Sequence, residues 1–342
     1  MSSSESILMN NNVEIPQLAL GTYDITNEEI VNVIESGLSI GYRHIDCAWL
    51  YGNEKGIGKS LSNQFKKGEI KRSDLFLTSK LWCSFHKFER VRQQCLITIN
   101  DLQCQYLDLF LIHWPFAFVD QDPEKNEECQ SNVDDKLDFI VTWKAMELLV
   151  DEGLVKSIGL SNFNEEQIER IIQICKYKPV VNQVEIHPYC PQIQLEIFCK
   201  KHQILLEAYA PLGKAFHFIK FIFIVIKITK IGAKNRQWKK ENDPEILEDK
   251  TIKSIADKYN VHPASVLLRY IIDRNLVCVV KSSNHERLKQ NFHSINENQF
   301  KLDQEDFNKI HNDIQIIFRY HQLQERRHAK EYPFKHWKDF VP

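Results

Sequence analysis

Eight short apolar runs alternate along the chain with longer amphipathic segments, and this alternation limits the fold more than any other feature. Apolar runs of about four to eight residues are typical of buried strands, whereas apolar residues that recur about every 3.6 positions are typical of helices. Strands are predicted at 18–22, 43–48, 74–81, 107–113, 155–161, 180–187, 204–209 and 277–282. Helices are predicted at 28–39, 135–152, 165–176, 195–202 and 250–259.

Strands that alternate with helices predict a parallel sheet with helical crossovers. Eight such units close into a barrel, and an open doubly wound sheet is the competing arrangement. The open sheet of a dinucleotide-binding domain carries a G-x-G-x-x-G turn after its first strand, and the glycine-rich stretch from Gly52 to Gly58 lacks that spacing. We therefore predict an α/β fold, a (β/α)8 TIM barrel, in a single domain over residues 1–342.

The segment before the first predicted strand has a pattern of its own. Two short arms within residues 8–19 flank Asn10, Asn11 and Asn12. Asparagine tolerates the left-handed backbone conformation that tight turns require. We predict that this segment is a β-hairpin and that it plugs the N-terminal mouth of the barrel.

Charge and cysteine content argue against several classes of protein. The chain has 44 basic and 46 acidic residues and a net charge of −2, which argues against nucleic acid and acidic membranes as partners. Nine cysteines without a C-x-x-C pair or a metal-ligand spacing are typical of free thiols in a reducing compartment. Residues 1–6 lack the features of a secretory signal. We expect a cytoplasmic monomer without a metal site.

Four acid–base residues stand at or just beyond predicted strand ends, where barrels of this kind hold their active sites. Asp46 ends the second strand, and Tyr51 follows it in the loop. Lys80 ends the third strand, and His113 ends the fourth. Each of them alone has a simpler explanation, such as packing for Tyr51, a helix cap for Asp46 or a core position for His113. Their joint placement at one mouth favours an active site.

The four side chains suit proton transfer. A tyrosine has a pKa of about 10, too high for a neutral-pH catalyst, and a nearby ammonium such as that of Lys80 lowers it. A buried lysine needs a carboxylate to remain charged, which is the role expected of Asp46. His113 is suited to donate a hydrogen bond to a substrate carbonyl oxygen.

Five motifs in order resemble those of the aldo-keto reductase superfamily, of the aldose and aldehyde reductase type. Residues 46–54, DCAWLYGNE, resemble the signature D-x-A-x-x-Y-x-N-E. The stretches 111–115, 153–163 and 182–188 resemble the next three motifs. The resemblance extends from about Val13 to 332–334, nearly the whole chain. The cofactor signature I-P-K-S…R…E-N is resembled by Lys281, Ser282, Arg287 and Asn291.

The resemblance implies a role for each of the four acid–base residues. Tyr51 is the general acid, Asp46 and Lys80 tune it, and His113 orients the carbonyl group. A nicotinamide cofactor donates the hydride. The residues that would hold its carboxamide are Ser161, Asn162 and Gln183, and Tyr209 would stack on its ring.

The cofactor implied by the resemblance is NADPH. Lys281, Ser282 and Arg287 are suited to surround the 2′-phosphate that only NADPH carries. Two positions depart from the family pattern, since Val280 stands in place of Pro and Gln290 in place of Glu, so weaker adenine contacts are expected. The expected cofactor-binding residues are Gly21, Thr22, Ser161, Asn162, Gln183, Tyr209, Leu212, Lys281, Ser282, Arg287 and Asn291.

Aromatic residues near the strand ends predict a pocket for small apolar carbonyl compounds. The expected reaction is the NADPH-dependent reduction of aldehydes or ketones to alcohols. A hydroxysteroid- or prostaglandin-type oxidoreductase is one alternative, and a cofactor-binding member without activity is another. The tail 314–342 is expected to form the substrate loop that decides among substrates. The expected substrate-binding residues are Tyr23, Trp49, Trp82, His113, Trp114 and Trp238.

Residues 214–232, KAFHFIKFIFIVIKITKIG, interrupt the resemblance. A membrane span needs about 20 mostly apolar residues, and Lys220, Lys227 and Lys230 break this stretch. An evolved surface loop would expose many Ile and Phe side chains, which invites aggregation. We interpret the segment as an atypical insertion and favour a retained intron translated in frame, with a genuine loop as the alternative.

Overall fold

A computed structural model of the chain describes residues 5–119, 132–213, 243–296, 301–321 and 326–335. The chain starts with a two-stranded antiparallel sheet, β1 (Ser6–Leu8) and β2 (Glu14–Pro16). Eight parallel strands then close into a barrel in which the last strand pairs with the first. Each lies within a run predicted as a strand, so the predicted (β/α)8 barrel is confirmed. The barrel strands are β3 (Leu18–Gly21), β4 (His44–Asp46), β5 (Phe76–Leu81), β6 (Leu109–Ile112), β7 (Ile158–Ser161), β8 (Val181–Glu185), β9 (Leu205–Tyr209) and β10 (Val277–Val280).

Helices surround the barrel, and their apolar faces join one buried cluster with the outward faces of the strands. The five predicted helices are confirmed, with ends that differ by a few residues. No helix in the described ranges is long and apolar enough to cross a bilayer. The insertion 214–232 lies outside the described residues. The helices are α1 (Asn27–Ile40), α2 (Glu54–Lys67), α3 (Phe88–Asp101), α4 (Phe139–Asp151), α5 (Glu165–Ile172), α6 (Ile193–Lys201), α7 (Lys250–Tyr259), α8 (Pro263–Asp273), α9 (His285–Asn296) and α10 (Gln304–Asn308).

The glycine-rich stretch that follows Tyr51 opens α2, a helix that the sequence pattern did not predict because glycine weakens helices. The two glycines are there for close packing. A Cβ at Gly56 would lie 2.5 Å from the Ile30 side chain on α1, and one at Gly58 would lie 2.1 Å from the Asp101 carbonyl oxygen at the end of α3. Tertiary contact therefore outweighs intrinsic propensity in this helix.

The N-terminal hairpin closes the bottom of the barrel, as predicted, but it spans residues 6–16 and not 8–19, because Leu18 and Ala19 already belong to β3. Asn12 adopts the left-handed conformation in its turn, with φ of 64°. The Asn10 side-chain amide donates to the Pro179 carbonyl oxygen at 2.9 Å, which ties the turn to the barrel. Met9 and Ile15 are buried against residues at the start of the strands. Those residues are Phe76, Leu109, Val181, Leu205 and Val277.

The C-terminal segment, which the structure describes over residues 314–321 and 326–335, passes over the opposite end of the barrel. The Phe318 backbone N–H donates to the Tyr189 carbonyl oxygen at 2.8 Å in the loop after β8. Further along, the Glu331 carboxylate pairs with Arg170 on α5 at 3.0 Å. The Phe334 ring packs against Trp114 after β6, at 5.9 Å between centroids. The segment therefore borders the mouth at which the predicted acid–base residues stand.

Candidate active site

Three of the predicted acid–base residues lie on neighbouring strands at the C-terminal end of the barrel. Asp46 is the last residue of β4, and Lys80 is the next-to-last residue of β5. His113 directly follows β6, and its backbone N–H donates to the Leu81 carbonyl oxygen at 3.1 Å. Tyr51 ends a 3-10 turn, Trp49–Tyr51, just after β4. Lys80 and His113 thus stand one residue away from the strand ends expected for them.

The ammonium of Lys80 connects these side chains. It donates to both Asp46 carboxylate oxygens, at 2.7 and 2.8 Å, and to the Cys47 carbonyl oxygen at 2.8 Å. It also lies 3.4 Å from the Tyr51 hydroxyl oxygen. The Gln183 amide donates to Asp46 Oδ1 at 2.8 Å. Burial of Lys80 is complete, and its charge remains balanced because the carboxylate contacts it directly.

The pKa values of the central pair follow from burial and charge. Burial works to lower the pKa of Lys80, but the Asp46 carboxylate outweighs it and raises that pKa above its ordinary value. Burial also raises the pKa of the Tyr51 phenol, and the nearby ammonium lowers it without cancelling the effect of burial. The net direction for Tyr51 is opposite to the lowering expected from the ammonium alone. A partly buried phenol with a raised pKa, flanked by an ammonium, is a proton donor at neutral pH.

His113 lies beside Tyr51 and is buried. The two ring centroids are 6.0 Å apart, and the Trp82 ring packs edge-on to His113 at 5.3 Å. Burial, followed by the positive charge of Lys80, lowers the pKa of His113 well below its ordinary value. The imidazole is therefore neutral, with one N–H available as a hydrogen-bond donor.

Four predicted cofactor residues form one hydrogen-bonded group at the ends of β7, β8 and β9. The Ser161 hydroxyl donates to the Gln183 carbonyl oxygen at 2.9 Å. The Asn162 amide donates to the Ser161 hydroxyl at 3.1 Å and to the His113 carbonyl oxygen at 3.0 Å. The Tyr209 hydroxyl donates to Asn162 Oδ1 at 2.9 Å. An aromatic ring beside amide and hydroxyl groups, next to the acid–base residues, fits a nicotinamide.

The second set of predicted cofactor residues lies where β10 leads into α9. Lys281 and Arg287 are exposed, whereas Ser282 and Asn291 are buried. The Asn284 side chain accepts the Arg287 backbone N–H at 3.0 Å, so α9 begins at this loop. Two cations at a helix N-terminus form a suitable site for a phosphate group.

The remaining predicted cofactor residues, Gly21, Thr22 and Leu212, make packing and hydrogen-bond contacts within the protein. Gly21 ends β3 with little room beside it, since a Cβ there would lie 3.1 Å from Val279 and 3.5 Å from Lys281. The buried Thr22 donates its hydroxyl to the Asp46 carbonyl oxygen at 2.8 Å. Leu212 is partly buried at the edge of the main apolar cluster.

The predicted pocket aromatics divide into two groups. Tyr23 packs edge-on to Tyr51 at 5.1 Å, and Trp82 packs on His113, so both border the acid–base residues. Trp49 packs on Phe85 at 5.0 Å, and Trp114 packs on Phe334 of the C-terminal segment. Trp238 lies outside the described residues.

The family model for the aldo/keto reductase family matches residues 17–313 of the chain. The chain belongs to the aldo/keto reductase family. It is 41% identical to aldose reductase C of Dictyostelium discoideum over 309 residues, 88% of this chain and 87% of that protein. It is 38% identical to aldo-keto reductase family 1 member A1-A of Danio rerio over 307 residues, 89% of this chain and 88% of that protein. The solved structure of the aldose reductase from Schistosoma japonicum superposes with a TM-score of 0.83 at 36% identity, covering 98% of this chain and 100% of that one.

The aldo/keto reductase is thus an oxidoreductase that reduces aldehydes and ketones with a nicotinamide cofactor. The resemblance read from the sequence motifs is confirmed. The comparisons do not favour the two alternatives, a steroid- or prostaglandin-type enzyme and a cofactor-binding member without activity. In the part of the chain that the structure describes, no three His, Cys, Asp or Glu side chains are arranged to hold a metal ion.

Two buried carboxyl groups of the reductase were given no role from the sequence. Glu185 ends β8 and accepts the backbone N–H groups of Tyr320 and His321 in the C-terminal segment. Glu207 lies inside the barrel on β9, two residues before Tyr209. The period-two alternation of a strand places Glu207 on the same face as Tyr209. The sequence signal that could have identified Glu207 is a charged residue within the apolar run 204–209.

Proposed function

We propose that the protein reduces aldehydes and ketones to alcohols with NADPH as the hydride donor and Tyr51 as the general acid. The observation that carries the proposal is the chain of contacts from the buried pair of Asp46 and Lys80 to the partly buried Tyr51 hydroxyl. A lysine in the interior of a barrel that is held charged beside a phenol serves proton transfer better than packing.

The side chains divide the work of proton transfer. Tyr51 is a protonated phenol at neutral pH and donates its proton to the carbonyl oxygen as negative charge develops there. Lys80 stabilises the phenolate that remains, and Asp46 keeps Lys80 charged. The neutral imidazole of His113 donates a hydrogen bond that orients the same oxygen. When bound, a nicotinamide would supply the hydride, and Ser161, Asn162 and Gln183 would hold its carboxamide.

The preference for NADPH rests on the two cations at the start of α9. Lys281 and Arg287 are exposed and flank the loop after β10. A 2′-phosphate placed there gains charge-assisted hydrogen bonds that the bare ribose hydroxyl of NADH does not provide. We also propose that the enzyme is a cytoplasmic monomer and that one catalytic domain spans residues 1–342, with 214–232 as an insertion.

Tyr51→Phe tests the proposal. The variant should lose reduction by about 10²–10⁴-fold, the usual contribution of general acid catalysis. NADPH should still bind with unchanged affinity in a fluorescence titration, because the phenol does not hold the cofactor. Tyr177→Phe is the matched control, since it removes a hydroxyl that contacts Asp151 on the protein surface. Turnover of Tyr51→Phe at close to the unmutated rate would show that Tyr51 is not the acid.

A further inference from the structure

Glu207 is a fully buried carboxyl group in the barrel interior that the proposed mechanism does not use. It is the register partner of Gln183 on β8, and the Gln183 amide donates to Asp46 at 2.8 Å. Neither oxygen of Glu207 accepts a hydrogen bond of good geometry from the residues that the structure describes. The Gln183 side chain lies close enough to lower the pKa of Glu207, but its amide donates to Asp46 and not to Glu207. A buried carboxylate in this condition is costly, whereas a neutral carboxylic acid is much less so.

The Lys80 ammonium near Glu207 has no free hydrogen-bond donor. An ammonium has three N–H donors. Those of Lys80 go to the Asp46 carboxylate, the Cys47 carbonyl oxygen and the Tyr51 hydroxyl. No donor of Lys80 is left for Glu207, so the two carboxyl groups of Asp46 and Glu207 share one positive charge that only Asp46 contacts.

The histidine beside Glu207 does not pair with it either. His44 Nε2 lies 3.8 Å from Glu207 Oε1. The other ring nitrogen, Nδ1, lies 3.1 Å from the Pro16 carbonyl oxygen, which only accepts, so Nδ1 carries the proton. Nε2 then accepts from the Thr78 hydroxyl at 2.9 Å. Burial lowers the pKa of His44 to about 4, so at neutral pH the ring is uncharged and presents an acceptor to the carboxyl group.

Ionisable and polar groups on four other strands face Glu207. From β4 these are His44 and Asp46, from β5 Lys80, from β8 the uncharged Gln183, and from β10 the Cys278 thiol. Burial raises the pKa of Cys278, so the thiol is neutral. Burial, followed by the negative charge of Asp46, raises the pKa of Glu207 above its ordinary value.

We propose that Glu207 is a positioning residue whose protonation state sets how far Lys80 stabilises the Tyr51 phenolate, an inference that rests on the proposed function. As a neutral acid, Glu207 leaves the ammonium balanced by Asp46 alone. As a carboxylate, it adds a second negative charge beside the same ammonium and holds the Tyr51 phenol protonated to higher pH. Reduction needs the phenol, and alcohol oxidation needs the phenolate. Glu207 therefore extends reduction, at the expense of oxidation, into the alkaline range.

The test is the pH profile of Glu207→Gln in both directions of the reaction. Gln resembles the neutral acid in size and charge, so reduction at neutral pH should change by less than about twofold. The alkaline limb of kcat/KM for reduction should move down by about one pH unit, because no second negative charge appears. Alcohol oxidation should begin at correspondingly lower pH. Glu207→Asp keeps the carboxyl group and should restore the alkaline limb.

Glu147→Gln is the matched control. Glu147 is a buried carboxyl on α4 that accepts the Lys176 and Tyr177 backbone N–H groups, and a Gln amide oxygen can still accept them. Its profile should match that of the unmutated enzyme. An unchanged alkaline limb in Glu207→Gln, or a loss of more than about tenfold at neutral pH, would overturn the role of Glu207. Neither result would bear on Tyr51, whose own test is separate.

A second measurement does not depend on turnover. Difference infrared spectroscopy of the full chain should show a protonated carboxyl band at neutral pH that disappears on alkaline titration. The band should shift in frequency in Glu207→Asp, and this shift would identify Glu207 as the source of the band. This test remains available if Glu207→Gln does not fold. The lack of any such shift would mean that Glu207 is ionised at neutral pH, and the inference would fall while the proposed reduction stood.

Discussion

The ammonium of Lys80 is fully buried, and the Asp46 carboxylate balances its charge within contact distance. Without that partner, burial would favour the neutral amine. With it, the pKa of Lys80 rises, and the Tyr51 hydroxyl faces a positive charge at every pH at which the enzyme works. In the proposed mechanism, that charge allows the partly buried Tyr51 phenol to give up a proton in the transition state, although burial raises its pKa in the resting enzyme.

Replacing Arg287 with alanine should narrow the preference for NADPH over NADH. Arg287 is exposed in the first turn of α9, where a 2′-phosphate would lie. A hydrogen bond to a charged group is worth about 1.5–3 kcal/mol. The ratio of the two dissociation constants should therefore fall by about tenfold or more. Fluorescence titration of both proteins with both cofactors measures this ratio.

Lys289→Ala is the control for Arg287→Ala. Lys289 is an exposed cation on the same helix, two residues further along, and so faces another side of it. An equal loss in the two variants would mean that overall charge, not a specific contact, favours NADPH. Tighter binding of NADH by the unmutated enzyme would contradict the cofactor proposal itself.

At the level of elements, one carboxylate ties the C-terminal segment to the barrel. Glu185, at the end of β8, accepts the Tyr320 backbone N–H at 2.6 Å and the His321 backbone N–H at 2.9 Å. Burial alone would raise the pKa of Glu185, but the His187 hydrogen bond and the positive charge at His321 lower it to about 2. A group with a lowered folded pKa stabilises above its unfolded pKa of about 4.3. This contribution is lost only as the pH falls from there through about 2.

Glu185→Gln should loosen the C-terminal segment. The amide has one acceptor oxygen, so one of the two backbone N–H groups is left without a partner, at a cost of about 1–3 kcal/mol. Hydrogen exchange at Tyr320 and His321 should become faster, and KM for bulky carbonyl compounds should rise more than kcat falls. Glu305→Gln is the control, because that carboxylate is 76% exposed and its pair with Lys309 contributes little. Unchanged exchange in Glu185→Gln would mean that other contacts hold the segment.

At the level of the whole molecule, the free energy of unfolding depends on pH through buried histidines and a buried carboxyl group. The two kinds of group change it in opposite directions as the pH falls. Burial lowers the pKa of His44 to about 4 and that of His86 to about 3. Each binds fewer protons folded than unfolded, so each destabilises the fold as the pH drops below about 6.5. Burial raises the pKa of Glu54 to about 7, and this carboxyl works in the opposite sense. A single unfolding curve therefore mixes both contributions.

The difference in the free energy of unfolding between the unmutated protein and His86→Phe isolates the contribution of His86. Neither ring nitrogen of His86 has a partner among the described residues, so Phe should be tolerated at neutral pH within about 1 kcal/mol. Between pH 7 and pH 5 the variant should gain about 2 kcal/mol relative to the unmutated protein, since an unfolded histidine protonates there and a buried one does not. Urea unfolding at several pH values measures the difference. Parallel curves for the two proteins would show that His86 is accessible to protons in the fold.

The barrel and the positions of its acid–base residues could be predicted from the sequence because both depend on local patterns. Strand and helix periods repeat over a few residues, and they located all eight barrel strands. Asp46, Tyr51 and His113 were identifiable because parallel strands bring their carboxyl ends to one mouth. Five helices, α2, α3, α8, α9 and α10, were not predicted. For α2 the reason is that Gly56 and Gly58 weaken a helix locally and are required only by neighbours elsewhere in the chain.

Contacts between distant parts of the chain belong to the tertiary structure alone. The Gln183–Asp46 bond joins residues 137 positions apart, and the Glu185–Tyr320 bond joins residues 135 positions apart. The net direction of the Tyr51 pKa depends in the same way on burial against charge, and no sequence pattern weighs the two. Local periodicity determines which elements form and which residues stand at their ends. Whether a carboxyl such as Glu207 is paired or isolated is decided by packing, because electrostatic energy depends on distances through space and not along the chain.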